Sequence, residues 1–141
     1  NGVNGIKNYT SINVFSATQV FGVGVNKPWT MTAANTTIVG VTTGQRLTGA
    51  GATALVLLVA GKMQVDLCYQ LGNTPMVPFS ATSTEFDFTG LPGSSRVPVG
   101  FTGSTIANVS GDLVVGLCVK TTTGSFNNSS SAKGWIEVIN P

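Results

Sequence analysis

The chain has 141 residues, enough for one domain that buries roughly two thirds of its unfolded surface, and it carries seven basic side chains, five acidic ones and no histidine. Charged residues make up 9% of it, against about 25% in an ordinary domain, so hydroxyls and amides must carry the exterior. This composition speaks against histidine-based proton transfer, the common zinc sites and polybasic contact with nucleic acid, and it permits close packing of identical copies.

From the N-terminus, residues 1–27 read as a separate strand segment. Its odd positions run Phe15, Ala17, Gln19, Phe21, Val23 and Val25, while Gly22 and Gly24 leave the opposite face bare. Such a strand can slot into a groove of its own domain or be exchanged with a neighbouring subunit, so Phe15, Ala17, Phe21, Val23 and Val25 are the candidate assembly positions. The start at Asn1, without a methionine, reads as that of a mature product whose leader was removed.

Residues 28–141 carry strand signals throughout and no helical spacing of apolar residues. Predicted strands cover 12–17, 38–42, 53–60, 62–70, 85–88, 97–101, 112–120 and 134–139. The clearest are 62–70, apolar at odd positions, and 112–120, where Leu113, Val115, Leu117 and Val119 form the core face. Turn chemistry separates them at Asn26-Lys27-Pro28, Gly49-Ala50-Gly51, Gly72-Asn73-Thr74-Pro75, Leu91-Pro92-Gly93 and Ser110-Gly111-Asp112. Many short strands joined by such turns predict a single all-β domain, an antiparallel β-sandwich or jelly roll. The longest apolar run, 54–60, is too short to cross a bilayer, and no membrane insertion is expected.

Few constellations could carry chemistry. Cys68 and Cys118 occupy equivalent places in their strands, opposite the main apolar row. If those strands are neighbours a disulfide is geometrically possible, and closing so long a loop contributes on the order of 4 kcal/mol. Two cysteines without histidine complete neither the common zinc sets nor an activated thiol, so no metal and no catalytic residue is assigned. The stretch from Gly49 to Ala54 fits the dinucleotide-binding pattern G-x-G-x-x-A, but a buried strand follows it where the phosphate-binding helix should stand, and no cofactor is expected. Glu85 and Asp87 are the nearest approach to a carboxylate pair or calcium site. With Phe86 and Phe88 pointing inward they read more simply as a solvated face.

Asn8, Asn35, Asn108, Asn127 and Asn128 head glycosylation acceptor triplets. Trp29, Trp135 and Tyr69 are candidates for stacking on sugar rings, with Trp29 and Tyr69 favoured because Trp135 lies in a predicted closing strand.

In the C-terminal part, Leu67-Cys68-Tyr69, then Gly116-Leu117-Cys118-Val119-Lys120, a polar Asn/Ser loop and Gly134-Trp135-Ile136-Glu137-Val138 resemble the small jelly-roll domains of bacterial surface and phage tail-type proteins. These are in turn similar to the complement globular-head and tumour-necrosis-factor group. The resemblance spans residues 50–139 and implies trimeric or fibre-tip assemblies that bind ligands without catalysis. The N-terminal quarter departs from it, holding neither a collagen-like nor a coiled-coil repeat. The expected function is therefore that of an extracellular or cell-surface structural subunit, not an enzyme, that self-assembles into a filament or appendage with copies of itself as partners. The alternative is a carbohydrate- or receptor-binding head of a surface or tail-fibre protein.

Overall fold

The computed structural model describes residues 9–20 and 22–141. Its strands are β1 (Tyr9–Ala17), β2 (Lys27–Val41), β3 (Arg46–Val59), β4 (Lys62–Leu71), β5 (Val77–Pro78), β6 (Glu85–Asp87), β7 (Arg96–Ile106), β8 (Gly111–Thr121), β9 (Ser125–Phe126) and β10 (Ser131–Ile139). Every pairing is antiparallel, and the main ones nest: β1 with β10, β2 with β8, β3 with β7, and β4 with β5 and β6. The chain is thus one long folded-back hairpin. Rolling that hairpin brings β10 beside β3 and β8 beside β4, which gives two sheets ordered β1-β10-β3-β7 and β2-β8-β4-β5. The result is a single-domain β-sandwich with jelly-roll connectivity.

Alternation in β4 and β8 decides what lies between the sheets. Val65 stands opposite Val119, Leu67 opposite Leu117, Tyr69 opposite Val115 and Leu71 opposite Leu113. Leu67, Leu113, Val115, Leu117 and Val119 are fully buried, and each such side chain contributes about 1.5–3 kcal/mol by leaving water. Leu47, Leu55 and Leu57 of β3 and Ile136 of β10 meet them from the other sheet.

The Gly49-Ala50-Gly51 segment corrects the sequence reading, because it is the middle of β3 and not a turn. Its glycines serve packing. A Cβ on Gly51 would run into the ring of Phe101, and one on Gly49 would come within 2.5 Å of the Ile136 side chain. Gly134, opposite both Gly51 and Phe15, is likewise overlain by the Phe15 ring. Two phenyl rings therefore lie across two adjacent glycines on the inner face, an arrangement that seals strands otherwise weakened by glycine.

The N-terminal strand ends at Ala17 rather than running on to Val25. Val20 N–H then donates to the Ser130 carbonyl (2.7 Å), and Val23 forms a bridge with Phe126. Val20, Val23 and Phe126 are all buried and close one end of the sandwich. Among the described residues no helix is long and apolar enough to cross a membrane.

Candidate functional site

Cys68 and Cys118 form a disulfide, with their Cα atoms 5.8 Å apart. Because Cys68 pairs in register with Gly116 and Cys118 with Asp66, the bridge runs diagonally between β4 and β8. Both cysteines are fully buried. The bond therefore fastens the two central strands of one sheet, on the side away from the core.

Of the two favoured stacking candidates, one is corrected. Tyr69 is buried and its hydroxyl donates to Asn108 Oδ1 (2.8 Å), while its ring meets Phe79 edge-on at 6.3 Å, so it offers no face to a sugar. The odd-position parity that placed its neighbours in the core places Tyr69 there too. Trp29 is half-buried beside a hollow of about 400 Å3 lined by Gln64, Pro78, Ser80, Thr82, Ser83 and Lys120. Among the acceptor asparagines, Asn8 lies outside the described residues. Asn35 sits within β2 with its Nδ2 donating to the Thr32 carbonyl (2.6 Å), and Asn127 Oδ1 accepts from the Ser129 N–H (2.9 Å). Asn108 and Asn128 are exposed. Of the candidate assembly positions, Phe15 and Val23 are buried, Ala17 is half-buried, Val25 is exposed and Phe21 lies outside the described residues.

The carboxylates are dispersed, and no cluster of His, Cys, Asp or Glu among the described residues suits a metal ion. Glu85 and Asp87 are exposed, with Phe86 and Phe88 stacked on the inner side at 5.9 Å. Asp66 departs from its polar-face position by being buried. Its Oδ1 accepts from the Leu67 N–H (2.7 Å), and its Oδ2 accepts from the Ser80 N–H (3.1 Å) and the Ser83 hydroxyl (2.8 Å). The carboxylate thus fastens the stretch between β5 and β6 to the edge of β4.

Burial pushes the Asp66 carboxyl above its ordinary range, while the hydrogen bonds from Ser83, Ser80 and Leu67 oppose that shift. The folded state consequently holds this proton more tightly than the unfolded chain. Its contribution is complete below the ordinary aspartate value and is lost as pH rises through the folded value. Thermal unfolding of the wild type and of Asp66→Asn, from about pH 3.5 to about pH 7, is expected to show a wild-type advantage that narrows as pH rises.

The most distinctive surface is the outer face of the β1-β10-β3-β7 sheet. Successive rows across it read Ile12, Glu137, Thr48, Ser104; then Val14, Trp135, Ala50, Thr102; then Ser16, Lys133, Ala52, Gly100. Val14 is 75% exposed, Ile12 57% and Trp135 39%. Trp135 and Val14 wall a groove of about 560 Å3 floored by Ala50, Gly51 and Ala52. Past Lys133 a second groove of about 500 Å3 continues over Ala54. Large apolar side chains in water beside a bare alanine floor are characteristic of an interaction surface.

The sheet edges differ as sharply. At the edges opposite β1, β7 carries Arg96 and Pro98, and β5 and β6 are two and three residues long. The remaining edge, β2, carries Lys27 and Pro28 and breaks register with β8 three times. These are the usual obstacles to edge pairing. β1 has nine residues without a charge, a proline or a glycine. Among the described residues its ladder pairing is with β10, and β2 of the facing sheet runs close beside its other side, with Ser11 next to Val39 and Gly40.

No family model matches this chain, and no curated protein is similar to it in sequence. The residues that sequence reasoning missed are Ile12, Val14 and the alanines of β3. A signal for them exists, since β1 is apolar at both parities, Ile12 and Val14 on one face and Phe15 and Ala17 on the other, and a strand half-exposed to water has no need of that.

Proposed function

We propose that this chain is a non-catalytic structural subunit of an extracellular or cell-surface assembly, joined to copies of itself along the edge of β1. The observation that carries this reading is the contrast among edges: β1 is long and uncharged, where the other edges are short, charged or interrupted by proline. A second β1 laid antiparallel to it would satisfy the outward-facing amides and carbonyls of both strands and continue the sheet. The low surface charge removes the repulsion that keeps most domains apart. The buried disulfide supports an oxidising compartment.

The test uses Asn13, half-buried on the inner side of β1. Asn13→Lys sets an ammonium at the side of β1, where a second strand alongside would enclose it without a partner. The expected result is loss of assembled species by light scattering with an unchanged far-ultraviolet spectrum. Assembly equal to that of the wild type overturns the edge reading.

A second reading, a glycan-binding head, is favoured by one observation, the hollow that sets Trp29 beside Gln64, Ser80, Thr82, Ser83 and Lys120. It combines an aromatic face with hydroxyl, amide and ammonium groups. A glycan array distinguishes it: binding by the wild-type chain that is lost in Trp29→Ala supports this head.

A further inference from the structure

We infer a second self-association surface, the outer face of the β1-β10-β3-β7 sheet, docking a second copy of this chain about a two-fold axis that runs along the Val14, Trp135, Ala50, Thr102 row. The inference rests on the self-assembly reading and adds an interface distinct from the β1 edge.

The choice of a second copy over any other occupant comes from charge. Along the middle of β10 the outward side chains are Lys133, Trp135 and Glu137 in sequence, Ala132, Ile136 and Val138 being buried inward. The cation and the carboxylate thus stand one step either side of the tryptophan. When two such sheets pack face to face with the two-fold axis lying across the strands, the strands of the copies run antiparallel. Lys133 of each then lies over Glu137 of the other. An axis along β10 would instead set Lys133 on Lys133 and Glu137 on Glu137, so the charge order favours the first arrangement over that one.

The apolar pattern agrees with this placement. The same axis sets Val14 on Val14, Trp135 on Trp135 and Ala50 on Ala50, so the exposed apolar side chains of the two copies meet one another beside the floor of Ala50, Gly51 and Ala52. Packed sheets stand about 10 Å apart, and the row buries Val14 and Trp135 of both copies between them. The lining of this groove is chiefly apolar, with Ser16 and Lys133 as its polar side chains. That suits a protein face better than a sugar, which needs several convergent hydrogen-bonding groups. Two different two-fold contacts, edge and face, also extend an assembly beyond a dimer, which either alone would not do.

Charge reversal and cross-linking test the inference in the full chain. Lys133→Glu and Glu137→Lys each place like charges together twice across the axis and are expected to weaken association about tenfold or more by light scattering. The double variant restores the pairing and the association. Ala50→Cys, on the axis, is expected to yield a covalent dimer with a short bismaleimide, whereas Val39→Cys, 78% exposed on β2, does not.

If the wild type associates, Asn13→Lys disperses it and the face variants behave as wild type, the edge reading stands and this inference is overturned. A trimer that Ala50→Cys fails to cross-link overturns it as well. If every form is a single subunit at all concentrations, both readings fail together. Polysaccharide binding by a monomeric chain, lost in Trp135→Ala, overturns this one in favour of a sugar site.

Discussion

Replacing both cysteines, Cys68→Ala with Cys118→Ala, is expected to lower the free energy of unfolding by about 4 kcal/mol and the melting temperature by roughly 13 °C. The cross-link joins residues 50 apart in sequence, and without it the unfolded chain regains the freedom of that loop. The loop contains β5, β6 and β7, so the bond removes from the unfolded state the search that brings β8 back beside β4. Alanine is the better replacement because both sites are fully buried and a serine hydroxyl there would need a new partner. Full burial also means that a reductant should reach the bond only as the domain opens. Denaturant unfolding with and without the bridge measures the difference. Equal midpoints and slopes would show that the loop is already restricted in the unfolded chain.

Gly116→Ala is expected to cost about 3 kcal/mol, at the upper end of what overpacking does. Gly116 stands in register between Cys68 on one side and Asn35 on the other. A Cβ there would collide with the Ala34 carbonyl oxygen and lie about 2.5 Å from the Asn35 Cα. These are backbone atoms, held in place by the pairing of β2 with β8, and they have no rotamer to escape into. Gly100→Ala is the internal control. It lies on the outer face of β7 with nothing within 4 Å of the added carbon, and its effect should stay within about 0.5 kcal/mol. Thermal unfolding of the pair separates steric conflict from a general loss of glycine, and similar shifts in both would refute the packing account.

Particular residues show what the sequence made readable. The parity of Val65, Leu67 and Tyr69 and of Leu113, Val115, Leu117 and Val119 is local information, since successive strand side chains alternate faces, and both strands lie inward as the alternation requires. The same parity puts Cys68 and Cys118 on one side, and the pairing of β4 with β8 completes the bridge. Gly49-Ala50-Gly51 misled because its reason is not local: Ile136 and Phe101, far away in sequence, occupy the space that side chains would take. β2 is longer than the predicted 38–42 because its first part, Thr30 to Thr37, is polar and small and is held as strand by pairing with β8, a tertiary effect that overrides composition. Asp66 stands at an even position of the alternating stretch 62–70, and the Ser80 N–H and Ser83 hydroxyl that hold its buried carboxylate come from more than ten residues further along the chain.

The surfaces were less legible than the core for a related reason. Whether a strand is an edge depends on the order of strands in the sheet, which the long nested hairpin sets only after rolling. Once that order is known, the bare composition of β1 and the exposure of Val14, Ile12 and Trp135 gain meaning, because an unprotected edge and an apolar face are costly to leave in water.

Sedimentation velocity of the wild-type chain without reductant, across a wide range of concentrations at neutral pH, tests self-association most directly. Species heavier than one subunit that grow with concentration are the predicted result, and a single monomeric boundary at every concentration would contradict it.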